Sequence, residues 1–129
     1  MIALDTNILV RYLVEDDPVQ ARAARQLIEE LTYEEPGFVS LVVLCELSWS
    51  LHHTYRHSHE RIAATIGAFL ETRQLEIEAP DIVARALDTA SPDIPDALIH
   101  EIGKASGCSR TLTFDRKFAR IEGVELLDS

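Results

Sequence analysis

The chain lacks the features that mark several common classes of protein. None of its apolar runs approaches the roughly 20 residues that a membrane-spanning helix needs, and Met1 leads into an apolar segment without a signal peptide. Its two cysteines, Cys45 and Cys108, form no CxxC pair, and a structural disulfide between them is not expected. We therefore expect a soluble protein of the cytoplasm that does not associate with membranes.

Several motifs that identify enzyme classes are missing as well. The chain has no phosphate-binding P-loop, no GxGxxG run and no GxSxG nucleophile elbow. It also lacks an excess of basic charge, because its net charge is -10. That charge argues against a general basic surface for nucleic acids. It does not exclude a nucleic acid as substrate, since metal ions and a few local arginines can hold phosphate.

What the chain does contain is typical of one globular domain. It has 129 residues, of which 47% are hydrophobic and 26% are charged, with no internal repeat or long linker. Strands are predicted near residues 2–5, 37–40, 75–78, 111–114 and 124–127. Helices are predicted between most of them, which implies right-handed crossovers and a mostly parallel sheet covered on both faces. We predict a single α/β domain over residues 1–129.

Local signals mark the ends of several helices. Asp17 is a predicted N-cap, with Pro18 at the first helical position and Gln20 at the capping-box position. Ser40 is available to cap the helix that follows it, and Gly107 is the predicted C′ residue of a helix over the segment before it. Apolar residues recur at helical spacing in one helix, at Val19, Ala23, Leu27, Ile28 and Leu31. In another, the residues predicted to face inward are Ile82, Val83, Ala86, Leu87 and Ala90.

Four acidic residues stand at positions where the predicted fold would bring them together. Asp5 follows the first strand, Asp115 follows the strand at 111–114, Asp96 opens a helix and Glu46 interrupts an apolar segment. Ligands of parallel α/β sheets bind beyond the carboxyl ends of the strands. Like charges about 4 Å apart repel by about 4 kcal/mol at an effective dielectric near 20, and a divalent cation would convert that repulsion into a binding site.

Each of these acids also has a structural explanation. Asp5 and Asp115 are in positions to cap the helix or turn that follows, and Asp93 with Asp96 resembles a capping box. Glu46 is different, because its neighbours at helical spacing are mostly apolar and no lysine or arginine lies between positions 26 and 55. We expect Glu46 to be buried and to need a tertiary partner, a proton or a metal ion.

The acids and their flanking residues resemble a known family. Leu4-Asp5-Thr6-Asn7, Glu46-Leu47, Asp96-Ala97-Leu98-Ile99 and Thr113-Phe114-Asp115-Arg116-Lys117-Phe118 are similar to the ordered motifs of PIN-domain ribonucleases. Size and motif order are especially similar to VapC-like toxins of type II toxin–antitoxin systems. The resemblance covers nearly the whole chain.

The resemblance implies a fold, an activity and a set of site residues. The implied fold is a three-layer α/β/α sandwich, usually in a homodimer, and the implied activity is a Mg²⁺- or Mn²⁺-dependent endoribonuclease that uses metal-activated water. An all-oxygen carboxylate site suits these hard cations. Asp5 and Asp96 would be the leading metal ligands, with Glu46 and Asp115 completing the acidic site. Supporting roles at the site are implied for Asn7, Asp93 and Thr113. A cognate antitoxin protein is the implied partner, besides the RNA substrate.

Alternatives from other classes remain open. The chain is alternatively a non-catalytic PIN-like interaction module, or a metal-dependent phosphohydrolase of small phosphate esters. The cluster His52, His53, His57 and His59 is interpreted as a solvated loop rather than a zinc site, and His100 is expected on a helix surface or near the site. Arg11, Arg116 and Lys117 are candidates for phosphate contacts or for ordinary solvated charge. No pattern identifies the RNA target.

Overall fold

Six helices and five strands form the part of the chain that the computed structural model describes, which comprises residues 1–89, 91 and 93–127. Contacts divide the chain into two compact units, Met1–Glu78 and Ala79–Ser129. All strand pairs within each unit are parallel. This confirms the predicted α/β class with parallel strands.

The first unit alternates strands with pairs of helices. Its elements are β1 (Ile2–Ala3), α1 (Thr6–Leu13), α2 (Pro18–Glu30), β2 (Gly37–Val39), α3 (Leu41–His53), α4 (His59–Leu70) and β3 (Leu75–Ile77). The sheet order is β1-β2-β3, so each strand pairs with the next one along the chain. Helix α1 packs against α2 and α3, and α3 packs against α4. The largest fully buried side chains of this unit come mostly from the helices: Leu9, Leu44, Leu47, Leu51, Ile62 and Ile66.

The predicted helix starts in this unit are confirmed by their capping bonds. Asp17 accepts a hydrogen bond from the Gln20 backbone N–H at 3.1 Å, with Pro18 at the first helical position. Ser40 likewise accepts from the backbone N–H of the third residue of α3, at 3.1 Å. The capping box of α2 is only half formed, because Gln20 Oε1 accepts from Arg11 Nε at 2.7 Å instead of turning back to the cap.

The apolar spacing in α2 identified only part of its buried face. Ile28 and Leu31 are buried, but Val19 is 80% exposed. The helix also buries Ala21 and Ala24, because small alanines let α2 approach α1 closely. The buried face therefore combines alanines with Ile28.

The second unit has two helices followed by a short parallel strand pair. Its elements are α5 (Pro80–Leu87), α6 (Ile94–Ala105), β4 (Thr111–Thr113), a 3₁₀ turn (Phe118–Arg120) and β5 (Val124–Leu126). Helices α5 and α6 pack against each other, and Phe118, Ile121 and Val124 form a buried cluster. Ala90, at the end of a predicted inner face, lies outside the described residues. In the described part of the chain, no helix combines the length and the apolar composition that crossing a membrane requires.

His100 is buried inside the second unit, so the expectation of a place on a helix surface was wrong. Only 3% of the residue is exposed, and its Nδ1 is hydrogen-bonded to Thr111 Oγ1 at 2.8 Å. Gly123 makes room for the ring: a Cβ at that position would lie 3.0 Å from His100 Cε1. The imidazole thus connects α6 to β4 and fills the space that a glycine leaves.

Two glycines of this unit allow the cost of crowding His100 to be measured separately from the cost of backbone strain. Gly107, which follows α6 as predicted, and Gly123 both have a φ of +91°, but a Cβ on Gly107 would meet nothing within 4 Å. We expect Gly107→Ala to cost about 1–2 kcal/mol from its left-handed backbone alone. Gly123→Ala should cost about 1–3 kcal/mol more, from overpacking against His100. Urea unfolding of both variants measures the difference, and equal losses would contradict the role given to His100.

Candidate functional site

Asp5 caps the first helix of the first unit. It follows β1 and is the N-cap of α1, where its Oδ1 accepts a hydrogen bond from the Thr6 backbone N–H at 2.8 Å. The capping role considered from the sequence is therefore confirmed. The Asp5 side chain is nevertheless exposed, and one bond to one oxygen leaves acceptor capacity on the carboxylate.

Glu46 is exposed, which corrects the expectation that this residue would be buried. Its neighbours on the same face of α3, Val42 and Trp49, are 69% and 60% exposed. The opposite face of the helix carries the residues that are buried: Val43, Leu44, Leu47, Ser48 and Leu51. The burial argument failed because apolar neighbours do not guarantee a buried face. Glu46 does have a tertiary partner, one of the three possibilities expected from the sequence: Thr6 Oγ1 donates to its Oε1 at 2.8 Å.

Thr6 connects the two acids of the first unit. Its backbone N–H donates to Asp5 and its hydroxyl donates to Glu46, while the residue itself is buried. A buried hydroxyl with such a partner holds the glutamate in one orientation. Sequence analysis assigned no role to Thr6. The available signal was its position between Asp5 and Asn7 directly after a strand; Asn7 is exposed one residue further on.

Three acids and a threonine form a connected group in the second unit. Asp93 is the N-cap of α6 and accepts from the Asp96 backbone N–H at 3.1 Å. Asp115 Oδ1 accepts from the backbone N–H groups of Lys117 at 2.8 Å and of the residue after it at 3.2 Å. Thr113 Oγ1 in turn accepts from the Asp115 N–H at 3.0 Å. Asp93 and Asp115 thus have the capping roles considered from the sequence.

The electrostatics of this group are unfavourable for an ionised Asp96. Burial, followed by the negative charges of Asp93 and Asp115, raises the pKa of the Asp96 carboxyl to about 6. A helix N-terminus by itself favours an ionised carboxylate, so the other contributions outweigh the position of Asp96 in the first turn of α6. A cation or a proton would relieve this repulsion.

The donor chemistry of the candidate residues fits a hard divalent cation. Carboxylate, amide and hydroxyl oxygens are the ligands that Mg²⁺ and Mn²⁺ prefer, and burial with the charges of Asp93 and Asp115 disfavours an ionised Asp96 without a cation. Among the residues that the structure describes, no three or more His, Cys, Asp or Glu side chains are already arranged as a metal site. The match between these residues and a divalent cation therefore rests on the type and the charge of their donor groups.

The basic candidates differ in their hydrogen bonds and in their exposure. Arg11 donates to Gln20 at 2.7 Å, to Asp16 at 3.3 Å and to the Tyr55 hydroxyl at 3.4 Å. The hydrogen bond with Tyr55, together with nearby negative charge, raises the pKa of Arg11. Arg116 and Lys117 are exposed beside Asp115. Arg11 is thus occupied inside the first unit, whereas the other two can reach a ligand.

The histidine cluster forms stacked rings. His52 and His59 stack with centroids 4.2 Å apart, and His52 Nδ1 donates to the His57 carbonyl at 3.1 Å. Burial and, secondarily, the charge of Arg61 lower the pKa of His57. These contacts give the segment a defined structure between α3 and α4, which the interpretation as a solvated loop did not anticipate.

Comparison with known families associates this arrangement with one fold family. The model of the PIN domain matches residues 2–124. The match includes every candidate residue named above: Asp5, Thr6, Asn7, Glu46, Asp93, Asp96, Thr113 and Asp115. No curated protein matches the chain.

The raised pKa of Asp96 makes the stability of the chain depend on pH in a specific direction. The folded state holds the Asp96 proton more tightly than the unfolded state, where the pKa is 3.8. Stability from this residue is therefore present below about pH 4 and is lost as the pH rises through about 6. In EDTA at pH 8, we expect Asp96→Asn to raise the free energy of unfolding by about 1–2 kcal/mol. This is the energy of a shift of about two pKa units, reduced because Asp96 is partly exposed.

The matched control is Asp81→Asn, in the first turn of α5. It should lose a few tenths of a kcal/mol at pH 8, because it gives up a favourable interaction with the helix dipole. Urea unfolding at pH 4 and pH 8 measures both variants. A loss for Asp96→Asn at pH 8 would show that Asp96 is only a structural helix-start residue.

Proposed function

The chain belongs to the PIN-domain family, and from this membership we propose that it is a Mg²⁺- or Mn²⁺-dependent endoribonuclease of the cytoplasm, the toxin of a toxin–antitoxin pair. PIN domains are typically nucleases. The observation that carries the proposal is the family match, because it runs through both units and includes all the candidate acids. We accordingly propose that residues 1–129 act as one PIN domain.

The proposed roles of the acids follow their chemistry. Asp5 and Asp96 would hold the metal ion, and Glu46 and Asp115 would complete the acidic site directly or through water. When bound, a divalent ion supplies an activated water and stabilises the charge of a phosphodiester. The raised pKa of Asp96 supports this assignment, since a carboxylate destabilised by its neighbours gains most from a cation.

Neighbouring residues would orient these acids. Thr6 holds Glu46 through its hydroxyl, and Thr113 holds the backbone of Asp115. Asp93 caps the helix on which Asp96 stands in the first turn. Residues that orient ligands typically change metal affinity or activity about 10- to 100-fold when they are removed. Asn7 would add an amide oxygen near Asp5.

The proposed partner is a basic antitoxin. An arginine-bearing tail would find carboxylate partners on a chain whose net charge is -10. In the first unit, a groove of about 390 Å³ is lined by residues of α1 and α2, which are the apolar Ile8, Ala23, Ala24 and Leu27 and the polar Asn7, Arg11 and Gln20. This groove, with the exposed Val19 on the same helix, is our candidate surface for the antitoxin or for a homodimer contact.

One observation favours a non-catalytic module as second candidate. Asp5, Asp93 and Asp115 each accept backbone hydrogen bonds at the start of a helix or turn, so folding alone gives these acids a purpose. In that case the chain would fold and bind partners without cutting RNA. A small-ester phosphohydrolase is a third alternative, which differs in its substrate.

Cleavage of RNA in the presence of Mg²⁺ or Mn²⁺ tests the proposal. We expect Asp5→Asn and Asp96→Asn to lower the cleavage rate by at least about 100-fold, since each would lose a charged metal ligand. Asp17→Asn is the matched control, because asparagine caps a helix as well as aspartate does. Sequencing of the product ends should find 5′-phosphate and 3′-hydroxyl groups.

Each alternative has its own outcome in this experiment. Cyclic phosphate ends would reject hydrolysis by metal-activated water in favour of attack by the RNA 2′-hydroxyl. Folded wild-type protein that cuts none of a varied set of RNAs would favour the interaction module. Hydrolysis of small phosphate esters without cleavage of RNA would favour the third alternative.

The bond between Thr6 and Glu46 makes a further prediction about positioning. Thr6→Val keeps the shape of the side chain and removes the hydroxyl that donates to Glu46. We expect cleavage to fall about 10- to 100-fold, with circular dichroism unchanged. Thr6→Ser should restore most of the activity, because it restores the donor. Full activity of Thr6→Val would show that this hydrogen bond does not position the site.

A further inference from the structure

Helix α3 presents an aromatic residue on the same face as a candidate site acid. Val42, Glu46, Trp49 and His53 follow one another at spacings of four, three and four residues, and all four are exposed. Residues at this spacing share one side of a helix. Trp49 stands about 4.5 Å further along the helix axis than Glu46. A large exposed ring therefore lies one turn from the carboxylate.

The indole begins a series of rings that contact one another. The centroids of Trp49 and His53 are 4.8 Å apart, those of His53 and His52 are 5.0 Å apart, and those of His52 and His59 are 4.2 Å apart. Trp49 remains 60% exposed despite this contact. An indole that contacts one ring and remains largely exposed offers a flat surface on which a further ring can stack.

Two arginines follow the C-terminal end of α3. The segment 52–61 contains Arg56, Arg61 and four histidines, with Glu60 as its one acid, in a chain of net charge -10. No lysine or arginine precedes it back to position 26. Proteins that bind single-stranded nucleic acids combine cations for the phosphates with aromatic rings for the unpaired bases. The end of α3 and the segment after it contain residues of both kinds.

Arg56 occupies a backbone position that glycine would suit better. Its φ of 59° lies in the left-handed region. The turn closes through hydrogen bonds from the Tyr55 N–H to Ser50 O at 3.3 Å and from the His57 N–H to Leu51 O at 2.8 Å. Glycine is the usual residue where a helix ends in this conformation. A strained residue with an exposed guanidinium is a position where side-chain function outweighs backbone preference.

We propose that Trp49 and Arg56, with the rings of His52, His53 and His59, form a surface that binds unpaired nucleotides of the RNA substrate next to Glu46. The inference rests on the proposed ribonuclease function and adds to it a located binding surface with a named binding residue, Trp49. A duplex keeps its bases stacked inside, so this surface selects unpaired segments. An apolar contact with a protein would not explain the arginines or the imidazoles around the indole.

The fluorescence of Trp49 reports directly on this surface, because it is the one tryptophan in the chain. The full-length protein is titrated in EDTA, which prevents metal-dependent cleavage, with a short unstructured RNA and with the same RNA in a duplex. We expect the single strand to quench the emission and the duplex to leave it unchanged. Absence of quenching by the single strand at concentrations that saturate binding would overturn the proposal.

Variants then measure the contribution of the ring. In anisotropy measurements with labelled single-stranded RNA, Trp49→Ala should weaken binding about 5- to 100-fold, and Trp49→Phe should restore part of it. Tyr33→Ala is the matched control, because Tyr33 is a comparably exposed aromatic residue of the same unit, outside α3. Equal affinities for wild type and Trp49→Ala would overturn the role of the indole.

Arg56→Gly separates RNA binding from folding. We expect weaker binding of single-stranded RNA, a smaller dependence of affinity on salt, and a midpoint of urea unfolding that is equal to or higher than that of wild type. A purely structural arginine would give unchanged RNA affinity, which would remove Arg56 from the surface.

The outcomes distinguish this proposal from the ribonuclease activity on which it rests. Quenching by single-stranded RNA in a protein that cleaves no RNA would support the surface and reject the nuclease. Normal cleavage by Trp49→Ala, with no quenching in wild type, would support the nuclease and reject the surface. If light scattering shows that Trp49→Ala dissociates a dimer and RNA leaves the fluorescence unchanged, the face is a contact between copies and the proposal fails.

Discussion

The unsatisfied N–H groups at helix starts are the constraint that positions several acidic residues of this chain. The first turn of a helix has donors without partners inside the helix, and this chain supplies acceptors from Asp5, Asp17 and Asp93, with serines at two further starts. A capping carboxylate uses one oxygen for the backbone and keeps acceptor capacity on the other. At the start of α1, which follows β1, this need also places Asp5 at a strand-to-helix junction, where ligands of α/β folds bind.

Capping also explains which parts of the structure were predictable from the sequence. The starts at Asp17 and Ser40 and the end at Gly107 depend on residues within one turn, so local patterns predicted them. The burial of His100 depends on Gly123, which lies 23 residues further along the chain (123 minus 100) and makes room because it has no Cβ. No local pattern carries that information, and the prediction for His100 was wrong for this reason.

For the candidate site, the sequence predicted the chemistry of the residues but not their geometry. The residue types of the acids indicated a hard-cation site without knowledge of the fold. Which face of α3 is exposed was decided by tertiary packing of α3 against α1 and α4, so the expected burial of Glu46 was wrong and its hydrogen bond to Thr6 was not foreseen. Arg11 was likewise taken by Gln20, Asp16 and Tyr55 of its own unit.

The acidic charge of the chain opposes RNA binding but supplies carboxylates that the proposed chemistry needs. A net charge of -10 repels phosphates at long range, yet the proposed chemistry requires several carboxylates. Local cations and rings can offset that repulsion over short distances, because screening confines electrostatic effects to about 8–10 Å at physiological salt. The same acidic surplus would attract the basic tail of the proposed antitoxin without any such compensation. Under the proposed function, the tail and the RNA would therefore compete unequally, and the charge that the proposed catalysis requires would also favour its inhibition.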